Sequence, residues 1–293
     1  MTQAAVGDDV WSIKRVLTWA ADDLKRRGND SARLDVELLL GHVLGLDRIG
    51  LILHSERPLS GPELSRFREL FKRRRTGEPV AYLLGAREFY GLSLRVDARV
   101  LVPRPDSERL VEIALERTRA RSMLGQALDM CTGSGCIAIA FARHRPTWSV
   151  TASDISEGAL EVARDNAHRT GAIRNLRFVS GSLFTPVAGL RFDLVTANPP
   201  YIPAGDIQGL PVDVRDFEPR LALDGGPDGL DLVRDIVREA PAHLTPGGLL
   251  ALEIAFDQGP RTAALLREHG YAEVTVAKDL GGRDRVVSGY GPP

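Results

Sequence analysis

The sequence predicts an α/β fold, with a parallel sheet covered by helices on both faces and a small helical domain joined in front of it by a β-hairpin. Three observations predict it. Beyond residue 105, strand-like and helix-like segments alternate, as βαβ units do. Before residue 78 the apolar residues follow helical spacing alone, and between the two stretches the period shortens to that of a hairpin. A chain of 293 residues can bury two cores of unequal size. The expected domains are 1–77 (helical, for recognition), 78–105 (hairpin linker) and 106–293 (sheet).

In order along the chain, 11–75 reads as helical throughout. Ile13, Val16, Leu17, Ala20, Ala21 and Leu24 recur at helical spacing, and Leu34, Val36, Leu38, Leu39 and Val43 do so with fuller burial. Residues 58–62 form a turn in which Ser60 can cap a helix running through Phe71. The basic run Lys72-Arg73-Arg74-Arg75 reads as a solvated helix end, where cations also favour the helix dipole. Residues 89–96 alternate as a short hairpin, stopped by Pro103-Arg104-Pro105-Asp106, after which Asp106 or Ser107 can cap a helix through Val111 and Leu115. Strands are expected at 127–130, 149–153, 176–179, 192–197 and 249–254, and helices at 135–144, 157–169, 229–243 and 260–269. Two short strands, 274–276 and 286–288, flank a Gly281-Gly282 turn and suit a terminal antiparallel pair.

Composition narrows the function. The 38 basic and 39 acidic residues leave a net charge of −1, without the footprint of a dedicated nucleic-acid binder. Cys131 and Cys136 make no disulfide framework, read as small packing residues, and set a reduced, cytoplasmic location as the expectation. Residues 1–9 lack the basic start and apolar run of a signal peptide, and no apolar stretch has the length of a membrane span. The six histidines are scattered, so no metal site is expected.

Two motifs carry chemistry. Asp129-Met130-Cys131-Thr132-Gly133-Ser134-Gly135 joins the first sheet strand to its helix, where glycines let backbone approach a ligand at the strand's carboxyl end. The full dinucleotide fingerprint is missing, because its third glycine would fall at Ala138. Asp154 closes the second strand, 19 residues after Gly135, where a carboxylate can accept from both ribose hydroxyls of a nucleoside cofactor. Its other possible task, capping the helix at Glu157, suits Ser156 better.

The second motif, Asn198-Pro199-Pro200-Tyr201, follows the buried run 192–197. An amide, two stiff prolines and an aromatic ring can hold a planar –NH2 group flat and in register. Amide nitrogen is a poor nucleophile, so orientation must supply much of any methyl transfer to it. The Asn198 side-chain oxygen and the Pro199 carbonyl can each accept one N–H, and Tyr201 can pack on the planar group and exclude water. Together the motifs read as a methyltransferase for a planar amide or amine nitrogen. The bland alternative is a proline-rich strand exit with no role.

With these residues in hand, the chain resembles the protein-(glutamine) methyltransferases that modify bacterial peptide-chain release factors. The matching stretches are 77–85, 88–92, 102–108, 198–202 and 278–285. The resemblance implies a seven-stranded, Rossmann-like class I methyltransferase domain and an N-terminal helical bundle that helps grip the substrate. It also implies S-adenosylmethionine as donor, class I release factors as partners and the glutamine of their Gly-Gly-Gln motif as acceptor; separately, a monomer is expected. Residue by residue it places the cofactor on Cys131, Thr132, Gly133, Ser134, Gly135, Asp154, Leu183 and Asn198. It places the acceptor on Asn198, Pro199, Pro200 and Tyr201, with Asn198, Pro199 and Tyr201 catalytic. Two departures stand out. Cys131 replaces a common glycine, and the 131–136 turn is similar to that of a sister branch acting on a large-subunit ribosomal protein. Ser182 and Leu183 stand where an acid and an aromatic often meet the adenine, with Phe184 as an alternative apolar face. The rival readings are that ribosomal-protein enzyme, an adenine-N6 nucleic-acid methyltransferase, which would flip out its base and hold the backbone through basic residues, and a cofactor-binding module without activity.

Overall fold

The computed structural model describes residues 10–292, so the leader reading of residues 1–9 lies outside them. Two compact units divide between Gly85 and Ala86.

The first unit holds helices α1 (Ile13–Arg26), α2 (Ala32–Leu44), α3 (Arg48–Leu53), α4 (Gly61–Arg75) and α5 (Val80–Leu84). The helical stretch expected at 11–75 is divided at 27–31, 45–47 and 54–60, the last overlapping the turn expected at 58–62. Local chemistry sets the breaks. Gly45, at φ +66°, ends α2 in the left-handed conformation, and Ser60 with Glu63 forms a capping box that starts α4. Ile13, Leu17, Val36, Leu40, Phe67 and Phe71 build the core. Leu34 and Leu38, expected to be buried, are exposed, because the buried face of α2 runs through Val36, Leu39, Leu40 and Val43. Nor is the basic end of α4 simply solvated. Arg74 is largely covered and donates to Asp35 at 2.8 Å, while Arg73 and Arg75 pair with Glu78 and Asp23.

The second unit opens with the hairpin β1 (Ala86–Phe89) and β2 (Leu92–Arg95), turned by Tyr90 at φ +50° and Gly91 at φ +71°. Positive φ at both turn residues matches the right-handed twist of the strands. Then follow α6 (Glu108–Arg117), β3 (Gln126–Met130), α7 (Cys136–His144), β4 (Ser149–Asp154), α8 (Glu157–Thr170), β5 (Leu176–Ser180) and β6 (Phe192–Ala197). A short helix α9 (Val212–Arg215), α10 (Asp231–His243), β7 (Leu244–Glu253), α11 (Gly259–Glu268), β8 (Ala272–Lys278) and β9 (Asp284–Tyr290) complete it.

The seven strands lie in the order β5-β4-β3-β6-β7-β9-β8. β3 to β7 are mutually parallel, and β9 runs antiparallel to both its neighbours, as expected of the terminal pair. Successive residues feed opposite faces. Ala127, Leu194, Leu249 and Ala251 join the core with α6 and α7, while Leu128, Val195, Leu250 and Leu252 join that with α10 and α11. Pro241 inside α10 cannot donate to the carbonyl four residues back, and the buried Tyr271 hydroxyl donates to that Val237 carbonyl at 3.1 Å. From β3 the chain moves outward through β4 and β5 and returns to β3's other side as β6, opening a crevice at the carboxyl ends of β3 and β6.

Candidate active site

Parallel register brings three loops into one row. Met130 is opposite Ala197, and Ala197 is opposite Leu252. The next residues, Cys131, Asn198 and Glu253, therefore stand side by side at the carboxyl ends of β3, β6 and β7.

The first loop is organised by Asp129, fully buried at the end of β3. Its carboxylate accepts from the Thr132 hydroxyl at 2.6 Å and the Thr196 hydroxyl at 2.7 Å. Burial nevertheless raises its pKa to about 6, partly offset by those two hydroxyls and the Ala138 N–H. Cys131 (φ +54°), Gly133 (φ +53°) and Gly135 (φ +80°) take left-handed conformations, so the chain turns sharply into α7. At Gly135 a side chain would also meet Ile139 at 3.0 Å and Ala163 at 3.1 Å, so glycine lets α7 and α8 pack closely. Around Gly133 there is open space. Burial pushes the Cys131 and Cys136 thiols up to about 12, which keeps both protonated and unreactive at neutral pH.

Asp154 ends β4. One oxygen accepts the Gly133 N–H at 2.9 Å and the other the Ser156 N–H at 2.9 Å, while the cap of α8 is made by Ser156 itself. A carboxylate has lone pairs beyond those two. Cys131, Thr132, Gly133, Ser134, Asp154, Leu183, Asn198 and Pro200 line one cavity of about 220 Å³, wholly within the second unit. Gly135, Pro199 and Tyr201 do not line it. Phe184, offered by the sequence as an apolar face for adenine, is buried and stacks on His243 at 4.6 Å, so the preceding Leu183 (φ +46°) faces the cavity instead. Ser107 also differs from expectation. It makes no side-chain cap for α6 but lines the cavity, where the Asn198 Nδ2 donates to its Oγ at 3.4 Å.

Behind Asn198-Pro199-Pro200-Tyr201 lies a backing that sequence reasoning missed. Ile202 N–H donates to the Leu223 carbonyl and Gly225 N–H to that of Ile202, at 3.0 and 2.9 Å. A side chain at Gly225 would fall 2.7 Å from the Pro200 carbonyl, and one at Gly229 would meet the Tyr201 carbonyl. The buried Gln258 donates to the Tyr201 carbonyl at 3.0 Å. The Tyr201 hydroxyl turns to Glu253 at 3.4 Å, and desolvation by its surroundings raises that phenol's pKa. Glu253 is buried and raised to about 7 by desolvation, against the Ser107 hydroxyl and Arg285. The one sequence signal for this backing was the glycine-rich run 224–229 ahead of α10. Arg104, in the cavity wall, donates to the buried Glu218 at 2.7 Å and so ties the 99–107 segment to the excursion between β6 and α10.

Comparison with known proteins agrees with this architecture. Residues 15–85 match the family model described as PrmC N-terminal domain, and residues 108–209 that described as methyltransferase small domain. The release factor glutamine methyltransferase of Geobacter sulfurreducens is 43% identical over 281 residues, covering 96% of this chain and 97% of that protein. That of Vibrio cholerae is 43% identical over 279 residues, covering 95% and 96%. A methyltransferase structure from Pyrococcus furiosus, at 21% identity and TM-score 0.52, covers 78% of this chain and 99% of its own and shares the fold. No helix among the described residues is long and apolar enough to cross a membrane. With near-full-length identity above 40% and a seven-stranded class I sheet, the chain belongs to the release factor glutamine methyltransferases, enzymes of the protein-(glutamine-N5) methyltransferase type.

Proposed function

We propose that this chain methylates the side-chain amide nitrogen of the glutamine in the Gly-Gly-Gln motif of class I release factors, using S-adenosylmethionine. The observation that carries the reading is the shared cavity. Asn198 opens onto the same space as the 131–134 turn and Asp154. When bound, S-adenosylmethionine supplies a methyl group on a sulfonium, electrophilic enough for a weak nitrogen nucleophile. The residues present fit it. Open space around Gly133 admits the close approach of an amino-acid moiety, the spare Asp154 lone pairs suit a ribose diol, and Leu183 offers an apolar contact. Thr132, Ser134, Gly135 and Cys131 hold the shape of that turn.

The acceptor needs to be aimed rather than activated. With the Asn198 Nδ2 turned to Ser107, Oδ1 is the amide atom left to accept an N–H, while the Pro199 carbonyl, expected to take the second, lies outside the cavity lining. Pro200 walls the cavity, while Tyr201 fixes the loop from behind through Glu253. No strong base is asked of the site, because an amide nitrogen that has gained positive charge is strongly acidic. In this reading residues 1–77 grip the release factor, 78–105 link, 106–293 catalyse, and the enzyme works as a cytoplasmic monomer. The test is calorimetry with S-adenosylmethionine alongside methylation of a purified release factor. Micromolar binding with label on the factor supports the reading, and absence of either rejects it.

A further inference from the structure

Pro199 and Pro200 have no N–H, so neither can tie the acceptor loop to its backing by donation. The hold comes at the next residue. The Tyr201 carbonyl accepts from the Gln258 side chain at 3.0 Å, and the same Nε2 donates to the Gly229 carbonyl at 3.3 Å. The Gln258 Oε1 accepts the Ala255 N–H at 3.0 Å, so all three contacts of this amide are to backbone. Only one orientation of the amide satisfies two acceptors and one donor in these places. Gln258 is buried and does not line the cavity. Its own backbone is fixed as well, with its N–H on the Ala255 carbonyl and its carbonyl on the Thr262 N–H of α11. The fit leaves no slack. A side chain at Gly229 would fall 2.7 Å from Nε2, and one at Gly225 would fall 2.7 Å from the Pro200 carbonyl.

We propose that Gln258 is a positioning residue that aims Asn198 through the stiff segment Pro199-Pro200-Tyr201. Proline locks φ at about −65°, so two in succession leave few torsions that could absorb a displacement. A turn of the Tyr201 peptide plane therefore travels to Asn198 instead of dying out along the loop. Gln258 sets that plane by offering N–H groups to two carbonyls at opposite ends of the excursion between β6 and α10. Removing the donors frees the plane, and replacing them by a charged acceptor repels it. The Tyr201 hydroxyl contact with Glu253, at 3.4 Å, is long for an O–H···O bond and adds only a weak second hold. A misplacement of about 1 Å at a transfer site can cost on the order of 100-fold in rate.

The inference rests on the glutamine-amide reading above, so its test includes a readout that needs no methylation. Turnover and acceptor KM are measured between about pH 5.5 and 8.5 for wild type, Gln258→Met and Gln258→Glu, with S-adenosylmethionine affinity by calorimetry. At the alkaline end Gln258→Met should lower turnover roughly 10-fold and Gln258→Glu roughly 100-fold, with acceptor KM and cofactor affinity within a few-fold of wild type. The two variants part as pH falls. Burial raises the pKa of a carboxyl, and once protonated the introduced group has one O–H to give the Tyr201 carbonyl. The turnover of Gln258→Glu relative to wild type should then climb roughly 10-fold, while that of Gln258→Met stays level. Asp257, Glu253, Asp284 and the Asp228 pairs with Arg234 and Arg261 lie around Gln258, are common to all three proteins and cancel in that ratio. The second readout is hydrogen exchange at Ile202 and Gly225, whose N–H groups pair the loop with its backing. In Gln258→Met both should exchange roughly 3–10-fold faster, with the 131–135 turn unchanged. Wild-type turnover in Gln258→Met, parallel pH profiles for the two variants, loss of cofactor affinity in both, or unmoved exchange at Ile202 and Gly225 overturns the proposal. A wild type that labels no glutamine rejects the functional reading instead, and the exchange readout still decides the Gln258 anchor.

Discussion

Asn198 and Asp154 divide the labour of the cavity, and substitution should separate their tasks. Asn198→Ala should lower turnover about 100-fold or more while leaving S-adenosylmethionine affinity within a few-fold, because an oriented acceptor is lost and the cofactor turn is untouched. Asp154→Ala should do the reverse, weakening the cofactor in calorimetry, since it removes both the spare carboxylate lone pairs and the anchor of the Gly133 N–H. Equal effects of both changes on cofactor binding would contradict this division. Asp129 makes a different kind of claim. Its folded-state pKa of about 6 lies above the ordinary 3.8, so the fold binds this proton more tightly than the unfolded chain does. The stability tied to it is present below about pH 4 and declines as pH rises through about 6. Thr196→Val removes a donor to the charged form. It should cost about 1.5–3 kcal/mol at pH 8 and clearly less at pH 5, read by denaturant unfolding. An equal cost at both values would show that Asp129 does not titrate in that window.

At the scale of the element, α10 and β8 offer a closed hydrogen-bond account. Tyr271→Phe leaves the Val237 carbonyl without its donor and should cost about 1–2 kcal/mol. With Pro241→Ala beside it, the restored helix N–H can serve that carbonyl, so the double variant should lose less than the sum of the singles. Strict additivity would remove the link between the two residues. The elements themselves were readable because their signals are local. The apolar runs 192–197 and 249–254 announce strands buried on both faces, and Ser60 and Ser156 mark helix starts where they occur. What stayed hidden is non-local. Glu253 looks like the polar end of a strand until register places it beside Asn198, and Gln258, Gly225 and Gly229 gain meaning only once the acceptor loop folds back on them. Phe184, named only as an alternative apolar face, turns into the core, while Leu183 lines the cavity. Leu34 and Leu38 were misread by counting apolar residues without following the helical face.

In the whole molecule the two units keep separate cores, one among helices and one on each face of the sheet. Arg74→Ala should therefore act on the first unit alone. It leaves the buried Asp35 with the Asn29 amide and Ser31 hydroxyl but without its counter-charge, at a cost of about 3–5 kcal/mol. Thermal unfolding should show an earlier helical transition while calorimetry finds S-adenosylmethionine affinity unchanged. A matching loss of cofactor affinity would mean that the units are not energetically separate. The central claim, that this cavity methylates a glutamine amide, is tested most directly by following label from S-adenosylmethionine into a class I release factor. The same factor with its Gly-Gly-Gln glutamine changed to alanine, a large-subunit ribosomal protein and DNA are the comparisons. Label on the intact factor alone is the predicted result; label on the ribosomal protein or DNA, with none on the factor, would contradict it.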